Sequence, residues 1–552
     1  MKATSQIPVF VLSIAFLSAL VFLVRSLVET GPLPLKGPSR PISAQPEDRG
    51  KSEASRALPL PPKRDSDEFP AFPDLAEELL VQSLAGSEVL RDLTLGFSSS
   101  EKMNLFLAGA EKNGIHVLGS IPELASVRVR FRDVSKGLRY VDDPEWKGEV
   151  SPQYNYPVHQ PQLPRAESLE GEKGFADGAP DWLGASEDRA DWGKGIKVAV
   201  LDSGVDLSHP ALQDADLKEL SLLEGEPPAP GHGTAVASII AGNSEGLKGL
   251  APAASILSIR VLNEKGEGDS FTVAEGIVHA VDQGADVINL SLGGESSSAL
   301  LEHAVGYARS KGVAIVAAVG NEGTRGVAFP ARYEGVIGVT SIDAKGSASA
   351  FSNYGEGVDL AAPGVDVYSA WEEEGIVSFS GTSTASAFVA GALAAELSKN
   401  PTLPREQVVD LLYEFANESE KPGFDEFTGH GVLNVGRVDN RFDPYVADAA
   451  IVGYYFDPAQ LREESVPFLV SVQNQGTLWL KNVELEVDLM GKTRKFMLSD
   501  LNPGEVKSER LFLESGPGRE GVRIQSRLRV LEREDANPVN NVRASTITLP
   551  SK

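Results

Sequence analysis

Val198-Ala199-Val200-Leu201-Asp202-Ser203-Gly204 reads as a buried strand that stops on an acid and a glycine turn. Short apolar runs of the same kind recur at Ile196–Leu201, Ile256–Val261, Val287–Leu292, Val313–Val319, Val336–Thr340 and Val358–Ala361. Helical patterns fall between or after them, at Thr234–Ala241, Thr272–Asp282, Ala299–Ser310 and Thr384–Leu397. Continuous Val/Ile/Ala strands alternating with helices predict an α/β fold, a mostly parallel sheet with helices on both faces. In such sheets functional groups gather beyond the carboxyl ends of the strands.

Working outward, three further segments sit at element boundaries. Gly231-His232-Gly233-Thr234 opens an apolar helix with an imidazole, and Gly381-Thr382-Ser383-Thr384-Ala385 opens another with a hydroxyl. Val319-Gly320-Asn321-Glu322-Gly323 ends a strand with an amide. A hydroxyl becomes a useful nucleophile when an imidazole takes its proton, and a buried carboxylate fixes that imidazole's tautomer. An amide donor beside the hydroxyl's own backbone N–H would receive a developing oxyanion. Taken singly, each residue has a plainer reading: Asp202 as a turn residue, Ser383 as an N-cap, Asn321 as a left-handed loop residue. Four of them on one α/β pattern, in the order Asp, His, Ser, point to acyl transfer.

From about Asp181 to Val435 the chain resembles the subtilisin-like serine proteases, the subtilases. The segments quoted above carry that likeness, together with Ile288-Asn289-Leu290-Ser291-Leu292-Gly293, Phe351-Ser352-Asn353-Tyr354-Gly355 and Ala361-Ala362-Pro363-Gly364. The resemblance implies Asp202, His232 and Ser383 as the catalytic triad and Asn321 as oxyanion donor. It implies that Ser291, Leu292, Gly293 and Gly320 line the substrate cleft, where an extended peptide adds as a strand. Glu322 then lies beside the primary specificity pocket, as a selector of basic side chains or as a solvated loop charge. The implied activity is hydrolysis of peptide bonds in protein or peptide substrates; the alternative is a catalytically inactive scaffold serving as a surface-binding module.

The chain also departs from the family pattern. The usual Met-Ala-x-Pro-His-Val after the serine becomes Thr384-Ala385-Ser386-Ala387-Phe388-Val389, and Thr-His-Val-Ala-Gly becomes Thr234-Ala235-Val236-Ala237-Ser238. The position of a calcium-binding acid is taken by Ala211, and the Gly242–Gly246 loop is short. The chemistry needs no cofactor, no metal ligand set is assigned, and the usual strong calcium site is not expected, though carboxylates are abundant elsewhere.

The flanks divide into further units. Ile7 to Val24 is a nearly unbroken apolar run, a signal peptide or membrane anchor within residues 1–29, and Ser26-Leu27-Val28-Glu29 is a poor cleavage site. Either reading places the rest outside the cytoplasm, secreted or held at the cell surface. Residues 30–73 form a Pro-rich linker. Residues 74–143 carry a helical pattern at Leu75–Leu90 and an alternating strand at Ser126–Phe131. Gly114-Ile115-His116-Val117-Leu118-Gly119 through Leu138-Arg139-Tyr140-Val141 resembles a subtilase propeptide, in that family a small α/β prosegment that lies across the cleft until removed; the alternative is an unrelated α/β module. Residues 144–180 read as a linker holding the maturation site, and 181–440 as the catalytic domain. From 443 to 552, short strands separated by Gly/Pro/Asn turns predict a β-sandwich. Val472-Gln473-Asn474-Gln475-Gly476 and Leu501-Asn502-Pro503-Gly504 make it similar to bacterial immunoglobulin-like adhesion modules of the CARDB type.

Composition narrows the classes. The 552 residues carry a formal charge of −27, which argues against nucleic acid as a partner. There is no cysteine, which removes disulfides, thiolate nucleophiles and Cys-ligated zinc.

Overall fold

The computed structural model describes residues 92–547, apart from 170, 224–230, 245, 373–374, 418, 420–423, 457–464, 490, 515–521 and 539. The apolar run at 7–24, the linker at 30–73 and the helical pattern at 75–90 lie outside the described residues. Among the described residues no helix is long and apolar enough to cross a membrane.

Seven strands build the central sheet, in the order Leu360–Pro363, Val336–Ile342, Ala314–Ala318, Val287–Leu290, Lys197–Asp202, Ser255–Arg260, Leu217–Ser221. Every neighbouring pair is parallel. Their Val, Ile and Ala side chains are buried on both faces, which explains why the runs lack polar alternation. On one face the helices Gly231–Ala241 and Thr382–Lys399 pack into a core with Val198, Val200, Val316 and Val339. On the other, Ser270–Asp282 and Ala299–Ser310 enclose Ala199, Leu201, Ile288 and Ile315. Ala387 and Phe388, which depart from the family pattern, are both buried in the first of these cores.

The helix carrying His232 must approach the end of the Lys197–Asp202 strand closely. A Cβ on Gly233 would come within 2.0 Å of the Gly204 carbonyl oxygen, so only glycine fits there.

N-terminal to this unit, Asp92–Phe97, Ile115–Ile121, Ser126–Phe131 and Val150–Tyr154 form an antiparallel sheet. The helices Ser100–Ala110 and Val134–Val141 share its core of Leu93, Phe106, Val129 and Phe131. This module extends beyond residue 143, because Val150–Tyr154 pairs with Asp92–Phe97. Pro152 is tolerated because the strand lies at the sheet edge.

The module also supplies groups to the helix starts of the larger unit. Asn155 Oδ1 accepts from the Phe271 N–H at 2.9 Å and Gln153 Oε1 from the Leu300 N–H at 3.2 Å. These N–H groups belong to the first turns of two helices, where no intrahelical acceptor exists. Arg128 adds an ion pair to Asp269, the N-cap of the first, at 3.0 Å.

Beyond residue 443, seven antiparallel strands form sheets of three and four around their own core of Val470, Leu485, Leu511 and Ile524. This is the two-sheet arrangement that the turn spacing predicts.

Gly233→Ala is expected to destabilise the fold by about 1–3 kcal/mol, the usual cost of overpacking a tight contact. Thermal unfolding against the unmodified chain measures it.

Candidate active site

Asp202 is the last residue of its strand and is completely buried. Its Oδ1 accepts from the Ser203 N–H at 2.7 Å and from Ser203 Oγ at 3.1 Å. His232 Nδ1 lies 2.8 Å from Oδ1 and 2.9 Å from Oδ2 of the same carboxylate. His232 is 4% exposed, so the pairing is shielded from water, and the carboxylate holds the proton of the imidazole on Nδ1. That leaves Nε2 as the basic nitrogen.

Ser383 lies in the first turn of Thr382–Lys399 and is 2% exposed. Neither Ser383 Oγ nor His232 Nε2 has a hydrogen-bond partner, and both atoms are buried.

Asn321 follows the Ala314–Ala318 strand. Its Oδ1 accepts from the Thr382 N–H and from Thr382 Oγ1, both at 2.9 Å. The acceptor end is thus tied to the start of the serine helix, and the Nδ2 end is left to face the cleft. Gly381 has φ +147 and a Cβ there would meet Asn321 Nδ2 at 2.9 Å, so glycine is required beside the amide.

The cleft is filled by the chain itself. Pro157–His159 pairs antiparallel with Glu267–Asp269 on one side. On the other, the His159 N–H donates to the Gly293 carbonyl and the Gly293 N–H to the His159 carbonyl, both at 2.8 Å. The Gln160 N–H reaches the Gly266 carbonyl at 2.8 Å. The strand then delivers the Gln162 carbonyl to Asn321 Nδ2, 2.9 Å away. The stretch read from sequence as a linker therefore contains a three-residue strand held on both edges.

The four cleft residues expected from sequence divide by role. Gly293 pairs with the strand through its backbone. Ser291 Oγ instead faces inward, 3.2 Å from Ser386 Oγ and 3.4 Å from the Ser383 carbonyl, where it braces the serine helix. Leu292 is buried in the core beneath. Gly320 donates to Thr382 Oγ1 at 3.3 Å and accepts from the Asn353 N–H at 3.0 Å. Glu322 is engaged, since Asn353 Nδ2 donates to its Oε2 at 2.6 Å. Ala211 is buried and donates its N–H to His209 Nδ1 at 3.1 Å. Among the described residues no three His, Asp or Glu side chains gather as a metal ligand set.

The subtilase family profile matches residues 193–431. A thermostable alkaline protease of Halalkalibacterium halodurans is 39% identical over 257 residues, covering 46% of this chain and 70% of that protein. Subtilisin Savinase of Lederbergia lenta is 40% identical over 256 residues, 45% of this chain and 93% of that one. The chain belongs to the subtilase family. Thermitase of Thermoactinomyces vulgaris is similar to this subtilase as well, 43% identical over 205 residues, 36% of this chain and 74% of that protein. As a subtilase it is a subtilisin-like serine peptidase built on a central parallel sheet.

Beyond the strand in the cleft, Gly171–Ala176 is fastened to this subtilase's sheet. The Lys173 N–H donates to Asp343 Oδ2 at 3.0 Å, and the Phe175 and Ala176 N–H groups to the carbonyls of Val365 and Asp366. Burial pushes Glu172 up to about 7. Burial pulls Lys173 down to about 7, with Arg543 and Lys345 adding to the effect.

Asn321→Ala is expected to lower kcat on a peptide substrate on the order of 10²–10³-fold with a small change in KM, as loss of one such donor does in subtilisin itself. Steady-state kinetics of Asn321→Ala beside the unmodified protein checks it.

Proposed function

We propose that this chain is an exported serine endopeptidase made as a self-processed zymogen, with Asp202, His232 and Ser383 as its triad. Ser383 Oγ attacks the scissile carbonyl carbon while His232 Nε2 takes its proton, and Asp202 holds the imidazole and stabilises its cation. Asn321 Nδ2 and the Ser383 N–H hold the oxyanion. His232 then returns the proton to the leaving amine as the peptide bond breaks. Water, deprotonated by the same imidazole, hydrolyses the acyl-enzyme and frees Ser383.

The observation that carries this reading is the Gln162 carbonyl on the Asn321 amide, at the end of a strand running through the cleft. On this reading a peptide bond of the chain itself stands in for a substrate's, and the carbonyl held by Asn321 is the group that would become the oxyanion. The prosegment then ends at Gln162, and Gln162–Leu163 is the maturation bond.

Export is supported by the apolar run at Ile7–Val24, as a cleaved signal or as a retained anchor that would make the membrane a partner. Its likeness to CARDB-type modules supports a binding or stabilising role for the C-terminal sandwich.

N-terminal sequencing of the mature protein beside Ser383→Ala tests the proposal. The unmodified chain is expected to yield a terminus at Leu163 and Ser383→Ala to stay uncut at that bond. Cleavage of both at equal rates, or a mature terminus elsewhere, would contradict it.

A further inference from the structure

His232 is fixed at Nδ1 by Asp202, but one hydrogen-bonded atom leaves a ring free to swing about that anchor. Two aromatic side chains from one hairpin pack here, Phe379 against the imidazole and Trp371 against Phe379. The hairpin joins Val367–Ala370 to Ile376–Phe379, and its second strand runs on directly to Ser383. Phe379 is 2% exposed and meets the imidazole edge-on, with centroids 5.4 Å apart and planes at 83°. Trp371 backs Phe379 at 5.9 Å. The same indole lies over Gly231, the residue before His232: a Cβ there would come within 2.4 Å of Trp371 Cε2.

The hairpin itself is anchored at both ends. The Ala370 N–H donates to Ser238 Oγ on the histidine helix at 3.0 Å. Asp366 Oδ1 accepts from Ser378 Oγ at 3.1 Å and from Ser380 Oγ at 3.3 Å, and the Gly381 N–H reaches the Gly364 carbonyl at 2.9 Å. The Tyr368 N–H donates to the Ala176 carbonyl at 2.9 Å, which ties the hairpin to the segment downstream of the cleft.

We infer that Phe379, supported by Trp371, is a positioning residue that holds the His232 ring in line with Ser383. Phe379 acts through the imidazole it packs on, and Trp371 through Phe379 and the backbone at Gly231. The inference rests on the proposed role of His232 as general base. A well-packed edge-to-face contact is directional, and small misplacements of a catalytic group can cost on the order of 10²-fold. Loss of positioning acts on the chemical step, so kcat should fall while substrate affinity, set by the strand-pairing edges at Gly266 and Gly293, stays put.

The test compares Phe379→Ala, Phe379→Tyr and Trp371→Ala as full-length chains, with kcat and KM measured on a peptide substrate after processing and self-cleavage followed by gel. Phe379→Ala is expected to lose about 10–100-fold in kcat with KM within about twofold. Phe379→Tyr, which keeps the ring, is expected to recover most of that rate. Trp371→Ala is expected to lose about three- to tenfold. Should Phe379→Ala fail to fold, the half-buried Trp371→Ala decides: unchanged kcat in that variant overturns the inference. So does a rise in KM with kcat intact, or a rate for Phe379→Tyr as low as for Phe379→Ala. His232→Ala separates the two readings, because wild-type turnover in that variant would sink the role of His232 itself and not the packing around it.

Discussion

Asp202 is a charged group with no exposure to water, and burying a carboxylate is costly unless it is paired and hydrogen-bonded. Its compensation comes from two places only a few ångströms apart. Ser203 donates through backbone and side chain, and His232 meets both carboxylate oxygens through Nδ1. The arrangement requires a strand ending at residue 202, a glycine turn at 204 and a helix that starts against that turn. The close approach at Gly233 is the steric expression of that demand. Once Nδ1 is committed to the carboxylate, Nε2 is the nitrogen left for the proton transfer proposed above.

The same economy governs Asn321. Its carbonyl is spent on Thr382, so its amino group has one direction left, across the cleft. A chain segment in that cleft finds open strand edges at Glu267–Asp269 and Gly293 and a donor at its end. The N-terminal module reaches this position because it also caps the Ser270–Asp282 and Ala299–Ser310 helices through Asn155 and Gln153. Were the module removed, as the proposed processing requires, these helix N–H groups would need water in its place. Binding of the module and occlusion of the cleft are thus parts of one interface.

The central sheet was legible because its strands are buried on both faces and read as unbroken apolar runs. The Ala299–Ser310 helix coincides with its pattern, and the others begin two or three residues earlier than the periodicity suggests. Asp202, His232, Asn321 and Ser383 stood out because their chemistry sits at element ends, next to glycines. Other features rest on contacts between segments distant in sequence. Leu217–Ser221 contains Lys218 and Glu219 and forms a strand only as the edge partner of Ser255–Arg260. Pro157–His159 has no strand propensity of its own and is ordered by two edges that lie over a hundred residues away. Ser291 is expected in the cleft from the family resemblance, yet its hydroxyl turns inward to the serine helix. Phe379 and Trp371 carry no signal beyond hydrophobicity; a single aromatic before Gly-Thr-Ser does not reveal that an imidazole will pack on it.

The central claim is that Ser383 is the nucleophile of machinery covered by the chain's own strand. Fluorophosphonate labelling, mapped to the modified residue by peptide mass spectrometry before and after release of the N-terminal module, addresses it directly. The account predicts an adduct on Ser383 that is weak in the uncleaved chain and strong after release. An adduct on another residue, or equal labelling of Ser383→Ala, would contradict it.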